Sequence, residues 1–177
     1  MAVQYANDWE DPRLSVEGFV VDYVLWRLAV DDFEWRNSPN VPAGAMDEHA
    51  KMRTICAQIE EHGSWTWIEW TEYDFLFWYY HDTMRFVAKT ETNHPHEISY
   101  PQVSILITLT GIMCKEKARK GKIGDISEVV RFTVDLIDEK IKASWADTNR
   151  SWAGCWMAAD FLIVDRVHYR PSTVLPL

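Results

Sequence analysis

The chain has 177 residues, a formal net charge of −9 and an aromatic content of 14% that includes ten tryptophans. That length suits one domain able to bury roughly two-thirds of its unfolded surface, and the many rings indicate a core packed with large side chains. The acidic balance excludes nucleic acid and an anionic lipid surface as partners, because both would repel it.

Three cysteines, Cys56, Cys114 and Cys155, are widely spaced with no CxxC, which fits buried, reduced thiols. The first residues lack the basic-then-apolar profile of a signal peptide. Phe161 to Val164 gives only a short apolar run before Asp165, too little for a membrane anchor. The expectation is a single domain over residues 1–177, cytoplasmic and without an integral membrane anchor.

Ser15 to Val30 reads as the first helix. Val16, Phe19, Val20, Tyr23, Val24 and Leu28 share a broad face, and the Ser15 hydroxyl is placed to cap the start. Asp31 to Gly44 is a linker broken by Pro39 and Pro42. A second helix runs from Met46 to Glu61, with Met52, Ile55 and Ile59 on one side and Gly63 ending it. Residues 64–88 form an aromatic belt, expected as a short helix followed by a longer one over about 74–88.

Residues 98–114 carry no charged side chain. The run is too long for an ordinary strand and at the short limit for a bilayer span. Ser104, Thr108 and Thr110 favour a soluble core over lipid, so the segment from about 99 to 117 is expected as a central helix buried on nearly every side. Gly121 and Gly124 end it. Asp125 or Ser127 then caps a helix whose Ile126, Val129, Val130, Thr133, Val134, Ile137 and Ile141 repeat at a period of 3.6. A turn from Trp145 to Trp152 and a short helix over 156–164 complete an all-α bundle of seven to eight helices.

Few residues suggest chemistry. His81, Asp82, His94, His96 and Glu97 are the densest potential metal cluster, but Pro95 makes the segment a turn and neither HExxH nor CxxC is present. Carboxylate pairs such as Asp31-Asp32 and Glu60-Glu61 sit at helix ends, where acids are ordinarily solvated. Cys114 has no histidine near it in sequence to activate it. No glycine-rich phosphate loop occurs, and neither an enzyme nor a cofactor is expected.

Three segments resemble the Bcl-2 family of apoptosis regulators. Val20-Val-Asp-Tyr-Val-Leu-Trp-Arg-Leu28, with Tyr23 and Trp26 inside it and Phe33-Glu-Trp35 beyond, is similar to the first-helix motif of pro-survival members. Ser99-Tyr-Pro-Gln-Val-Ser104 and the apolar run through Gly111 to Cys114 resemble the family's Asn-Trp-Gly-Arg start and central helix. Trp145-Ala-Asp-Thr-Asn-Arg-Ser-Trp152 keeps two tryptophans seven apart and Asn149 of the Trp…Asn-Gly-Gly-Trp signature.

The resemblance implies a helix-in-groove binder. Its groove would take the amphipathic BH3 helix of a pro-apoptotic partner, lined by Met52, Ile55 and Ile59 from the second helix, Tyr80, Met84 and Val87 from the fourth, and Ser99, Pro101, Gln102, Val103, Ser104, Ile105 and Leu109 from the fifth. Two positions depart from the pattern. Gln102 stands where the family's arginine pairs with the partner's aspartate, so that contact would be at most a neutral hydrogen bond and the partner range narrow. Pro101 replaces a glycine that would let a partner backbone approach closely. Ala57 stands where the second helix, as a BH3 region in its own right, would need aspartate, which disfavours a pro-apoptotic role. The short connection between the first helices and the missing tail anchor resemble a virus-encoded homologue, which would work peripherally at host mitochondria. A homodimeric scaffold with an occluded groove is the competing expectation.

Overall fold

The computed structural model describes residues 7–63, 76–89 and 96–157. Among these lie six α-helices and no strand: α1 (Val16–Val30), α2 (Met46–His62), α3 (Leu76–Val87), α4 (Tyr100–Arg119), α5 (Ile126–Ser144) and α6 (152–157). Most of the belt expected as a short helix, residues 64–75, falls outside the described residues. The same is true of residues 158–164 of the last expected helix.

Local signals set the ends of three helices. Gly18 N donates to Ser15 Oγ (3.1 Å), capping α1. Gly63 stops α2, its N–H bonded to the Ile59 carbonyl (2.8 Å). Ser99 opens α4 with a reciprocal capping box: Gln102 N donates to Ser99 Oγ (3.4 Å), and Ser99 N donates to Gln102 Oε1 (2.8 Å). Asp125 holds the N-cap position of α5 without capping it. Its carboxylate accepts from Lys117 Nζ (3.0 Å) instead, joining the two helix ends through an ion pair.

Helix α4 is the central post, with α1, α2, α3 and α5 packed around it. Every residue from Leu106 to Cys114 is buried, polar ones included. Its three threonine and serine hydroxyls satisfy themselves locally: Ser104, Thr108 and Thr110 donate to the carbonyls of Tyr100, Ser104 and Leu106, which lets polar side chains sit in the core without an orphaned donor. Thr110 also meets Tyr80 of α3 and Thr133 of α5, with oxygen separations of 3.1 Å to Tyr80 and 2.8 Å to Thr133, and Tyr80 lies 2.7 Å from Thr133. Burial holds the Tyr80 phenol well above its ordinary pKa, against the opposing effect of the hydrogen bonds with Thr110 and Thr133.

The residues expected on the α1 face, Val16, Phe19, Val20, Tyr23, Val24 and Leu28, are all buried. Tyr23 lies against Gly111, where a Cβ would come within 2.5 Å of the ring. The missing side chain is what allows α1 and α4 to touch. Tyr23 stacks on Trp26 (5.7 Å between centroids) and donates its hydroxyl to Glu60 Oε2 (3.1 Å). Glu60 also accepts from Arg27 (2.9 Å) and lies 3.5 Å from Lys115, so one carboxylate ties α1, α2 and α4.

The two tryptophans at the C-terminal end of the fold are both buried. Trp145 and Trp152 meet edge to face (4.9 Å), and Trp152 packs on Phe19 (4.6 Å). Asn149 between them adopts a left-handed φ of 51°, turning the chain. Trp145 Nε1 donates to the Ile98 carbonyl (3.3 Å), and Arg150 reaches that carbonyl (3.2 Å) and Glu97 (3.4 Å). Helix α6 begins four residues before the expected 156. Its first N–H groups find a distant acceptor: Trp152 N and Ala153 N donate to the two oxygens of Asp8, each at 2.8 Å. All three cysteines are buried and free.

Candidate functional site

Most of α4 is enclosed, and its least enclosed line runs along one stripe. At 100° per residue, Pro101, Ile105 and Ile112 fall on a common face. Pro101 and Ile105 are half-buried, and Ile112 keeps 7% of its surface. One flank of the stripe is tied to α2, where Cys56 Sγ donates to the Ser104 carbonyl (3.7 Å) and Thr108 Oγ1 approaches the Cys56 carbonyl (3.4 Å). The other flank is tied to α3 through Gln102 Nε2, which donates to the carbonyls of Val87 (2.9 Å) and Lys89 (3.2 Å). The stripe therefore forms a floor between α2 and α3.

The thirteen residues expected to line a groove occupy different depths around this floor. Pro101, Ile105, Ile59, Val87 and Ser99 are half-buried, and Ile55 is nearly covered at 6% exposure. Met52, Tyr80, Met84, Val103, Ser104 and Leu109 lie in the core at 1% exposure or less, supporting the floor from beneath. Phe86 on α3 is 59% exposed, a ring of the aromatic belt that periodicity alone does not mark as outward-facing. A helix has an outward side whatever its sequence, and only the packing of α3 on α4 shows which residue it carries.

The expectation for Gln102 needs correction. Its amide was expected to offer a hydrogen bond to a partner's carboxylate, yet Nε2 donates to the carbonyls of Val87, the last residue of α3, and Lys89 just beyond it, and Oε1 accepts from Ser99 N. The side chain is a link within the fold. Sequence reasoning missed this because Val87 and Lys89 are 15 and 13 residues away.

Three of the residues weighed for metal binding are otherwise engaged, and His96 is exposed. His81 stacks on Phe132 (3.8 Å, 26°), Glu97 pairs with Arg150, and Asp82 lies 3.7 Å from Arg85. His94 lies outside the described residues. Burial raises the thiols of Cys56 and Cys114, and that of Cys155 is pushed up to about 12, so none is poised as a nucleophile.

Two open clefts, of 580 and 510 Å³, lie where α4 ends, away from this floor. Arg27, Val30 and Arg119 line the first, and Trp35, Ile123 and Ser127 the second, with Phe33 shared. Their walls carry intramolecular ion pairs such as Arg27–Asp31 (3.0 Å) and Arg119–Glu116 (2.9 Å). No helix among the described residues is long and apolar enough to cross a membrane.

Comparison with known proteins gives the arrangement a context. No protein-family model matches the chain. It is similar to the apoptosis regulator ced-9 of Caenorhabditis briggsae, 29% identical over 152 residues, and to that of Caenorhabditis elegans, 30% identical over 152 residues. Each likeness covers 82% of this chain but only 57% and 54% of the relatives, so the chain spans about half their length. Among solved structures it resembles a chain of a CED-9/EGL-1 complex, with a TM-score of 0.74 and 28% identity over 90% of this chain and 99% of that one. The structure of Caenorhabditis elegans CED-9 shares the fold, with a TM-score of 0.61 and 23% identity over 90% and 96%. A central apolar helix ringed by amphipathic ones, together with these likenesses, places the chain in the Bcl-2 family as a homologue of the CED-9 apoptosis regulators.

Proposed function

We propose that this chain inhibits apoptosis by sequestering the BH3 helix of a pro-apoptotic partner on the α4 floor between α2 and α3. The observation that supports this most directly is the likeness, over nearly the whole described fold, to a chain of a CED-9/EGL-1 complex. A ligand helix laid along Pro101, Ile105 and Ile112 would present its own apolar residues at spacings of three, four and seven. The groove lining is Ile59, Val87, Pro101 and Ile105 at the surface, with the nearly covered Ile55 beside them and Met52, Tyr80, Met84, Val103, Ser104 and Leu109 fixing its shape.

Without a guanidinium at Gln102 the groove forgoes a charge-assisted contact of about 1.5–3 kcal/mol. Affinity then rests on apolar anchors, and the partner range is narrow. The protein acts in the cytoplasm and peripherally at mitochondria. The expectation of viral origin gains nothing from the relatives, both of which are nematode proteins.

Titration calorimetry against a panel of BH3 peptides tests the reading. A minority of the panel should bind, and Ile105→Asp should abolish binding while leaving the circular dichroism spectrum helical. Failure of every peptide to bind, or undiminished binding by Ile105→Asp, would refute it. Light scattering of the free protein should give a monomer; a dimer dispersed by peptide would favour the occluded-groove arrangement.

A further inference from the structure

We propose that Gln102 is a positioning residue whose amide is wholly taken up in holding α3 to α4, so that the groove takes a ligand helix with a neutral residue facing this point as readily as one with aspartate. The inference rests on the groove reading above and specifies the partner it admits.

The accounting is complete at the amide. A carboxamide has two N–H donors and one carbonyl oxygen. The donors of Gln102 go to the carbonyl of Val87 at the end of α3 (2.9 Å) and to that of Lys89 two residues beyond it (3.2 Å), and the oxygen accepts from Ser99 N (2.8 Å). The last carbonyls of a helix have no partner within it, so Gln102 closes the end of α3 while serving as the third residue of α4. Turning the amide toward a ligand carboxylate would break the bonds to Val87, Lys89 and the Ser99 N–H together, leaving the part-buried Val87 carbonyl without this donor.

The backbone donors of Gln102 and Val103 are occupied as well. Gln102 N goes to Ser99 Oγ (3.4 Å), Val103 N goes to the Ser99 carbonyl (3.1 Å), and Pro101 has no N–H. The nearby guanidiniums are committed: Arg150 to Glu97 and the Ile98 carbonyl, and Arg85 over the Phe132 ring at 5.5 Å. Lys89 is exposed, and a solvated ion pair there changes affinity by less than about fivefold. Among the described residues, a carboxylate on the ligand therefore meets no desolvated cation and no free donor on the Gln102 amide.

The test uses one BH3 peptide that binds the protein, with its aspartate intact or changed to asparagine, titrated against the full chain and against Gln102→Arg and Gln102→Met. The wild-type affinities for the two peptides should differ by less than about fivefold; a preference for aspartate of fivefold or more would overturn the inference. Gln102→Met, which keeps the shape and loses the clasp, should lower Tm and weaken both peptides by the same factor. An unchanged Tm and unchanged affinities would show that the clasp positions nothing. Gln102→Arg should also lower Tm, yet open a preference for aspartate of about tenfold or more. If it opens none, this position does not face the ligand's acidic residue and the inference fails. Binding of no BH3 peptide would instead refute the groove reading on which it stands.

Discussion

Replacing Gly111 by alanine probes the contact on which the packing of α1 against α4 depends. An ideal Cβ at this position lies 2.5 Å from Tyr23 Cε1 and 3.1 Å from Cδ1, so the ring must move by about 1 Å to reach ordinary contact. The ring is not a flexible tip. It is completely buried, stacked on Trp26, and pinned at its hydroxyl by Glu60, which Arg27 and Lys115 hold in turn. Overpacking of this kind costs about 1–3 kcal/mol, and the upper end applies because the obstacle is a fixed ring edge. Alanine returns about 1 kcal/mol of helix propensity. The net expectation is a loss of about 2 kcal/mol, or a fall in Tm of roughly 4–8 °C for a chain of this size.

Urea unfolding followed by tryptophan fluorescence and by circular dichroism measures that loss. A double-mutant cycle with Tyr23→Leu isolates its cause, since the smaller side chain leaves room for the added methyl. In the Tyr23→Leu background the Gly111→Ala penalty should shrink by at least about 1 kcal/mol. A Gly111→Ala protein as stable as the wild type, or a penalty equal in both backgrounds, would refute the account.

Other expectations concern the remaining fixed points. Asp8→Ala leaves the N–H groups of Trp152 and Ala153 without their acceptor and should cost about 1–2 kcal/mol, Asp8→Asn about half that, as read from thermal melts; equal melting of wild type and Asp8→Ala would remove this role. Burial holds the His81 imidazole below its ordinary pKa, aided by Arg85 and opposed by Glu128 and Asp82. The unfolded chain therefore takes up that proton first, so the contribution to stability is complete above about pH 6.5 and is lost as the pH falls through the folded-state value. His81→Phe, which keeps the stack on Phe132, should flatten the stability profile over that window, and an unaltered profile would count against it. The three buried thiols should resist an aromatic disulfide reagent at pH 8 until urea unfolds the chain; labelling of the native protein within minutes would contradict their placement.

The parts of this architecture legible in the sequence are those written locally. Ser15, Gly63 and Ser99 mark helix ends through neighbours within four residues, and the apolar positions of α1 and α5 repeat at the helical period, so the faces they bury could be named in advance. The uncharged run was enough to identify α4. What escaped was set by residues remote in sequence. Asp125 reads as a cap, but Lys117 takes its carboxylate. Helix α6 begins at 152 because Asp8 supplies acceptors from the other end of the chain. Gln102 reads as a weakened ligand contact, although its partners are carbonyls at and just past the end of α3. The groove is legible as a set of apolar positions but not as depths, because the same spacing produces the buried Leu109 and the half-covered Ile105.

The carboxylate of Asp8 reaches donors 144 and 145 positions downstream. During synthesis the ribosome releases the acceptor early and its donors only after every other described helix has emerged. Between those moments Phe19 lacks Trp152, and the nascent protein presents an apolar hollow to solvent. The belt can be fastened only once translation has passed Ala153, which makes this last closure the step most exposed to chaperones and proteases.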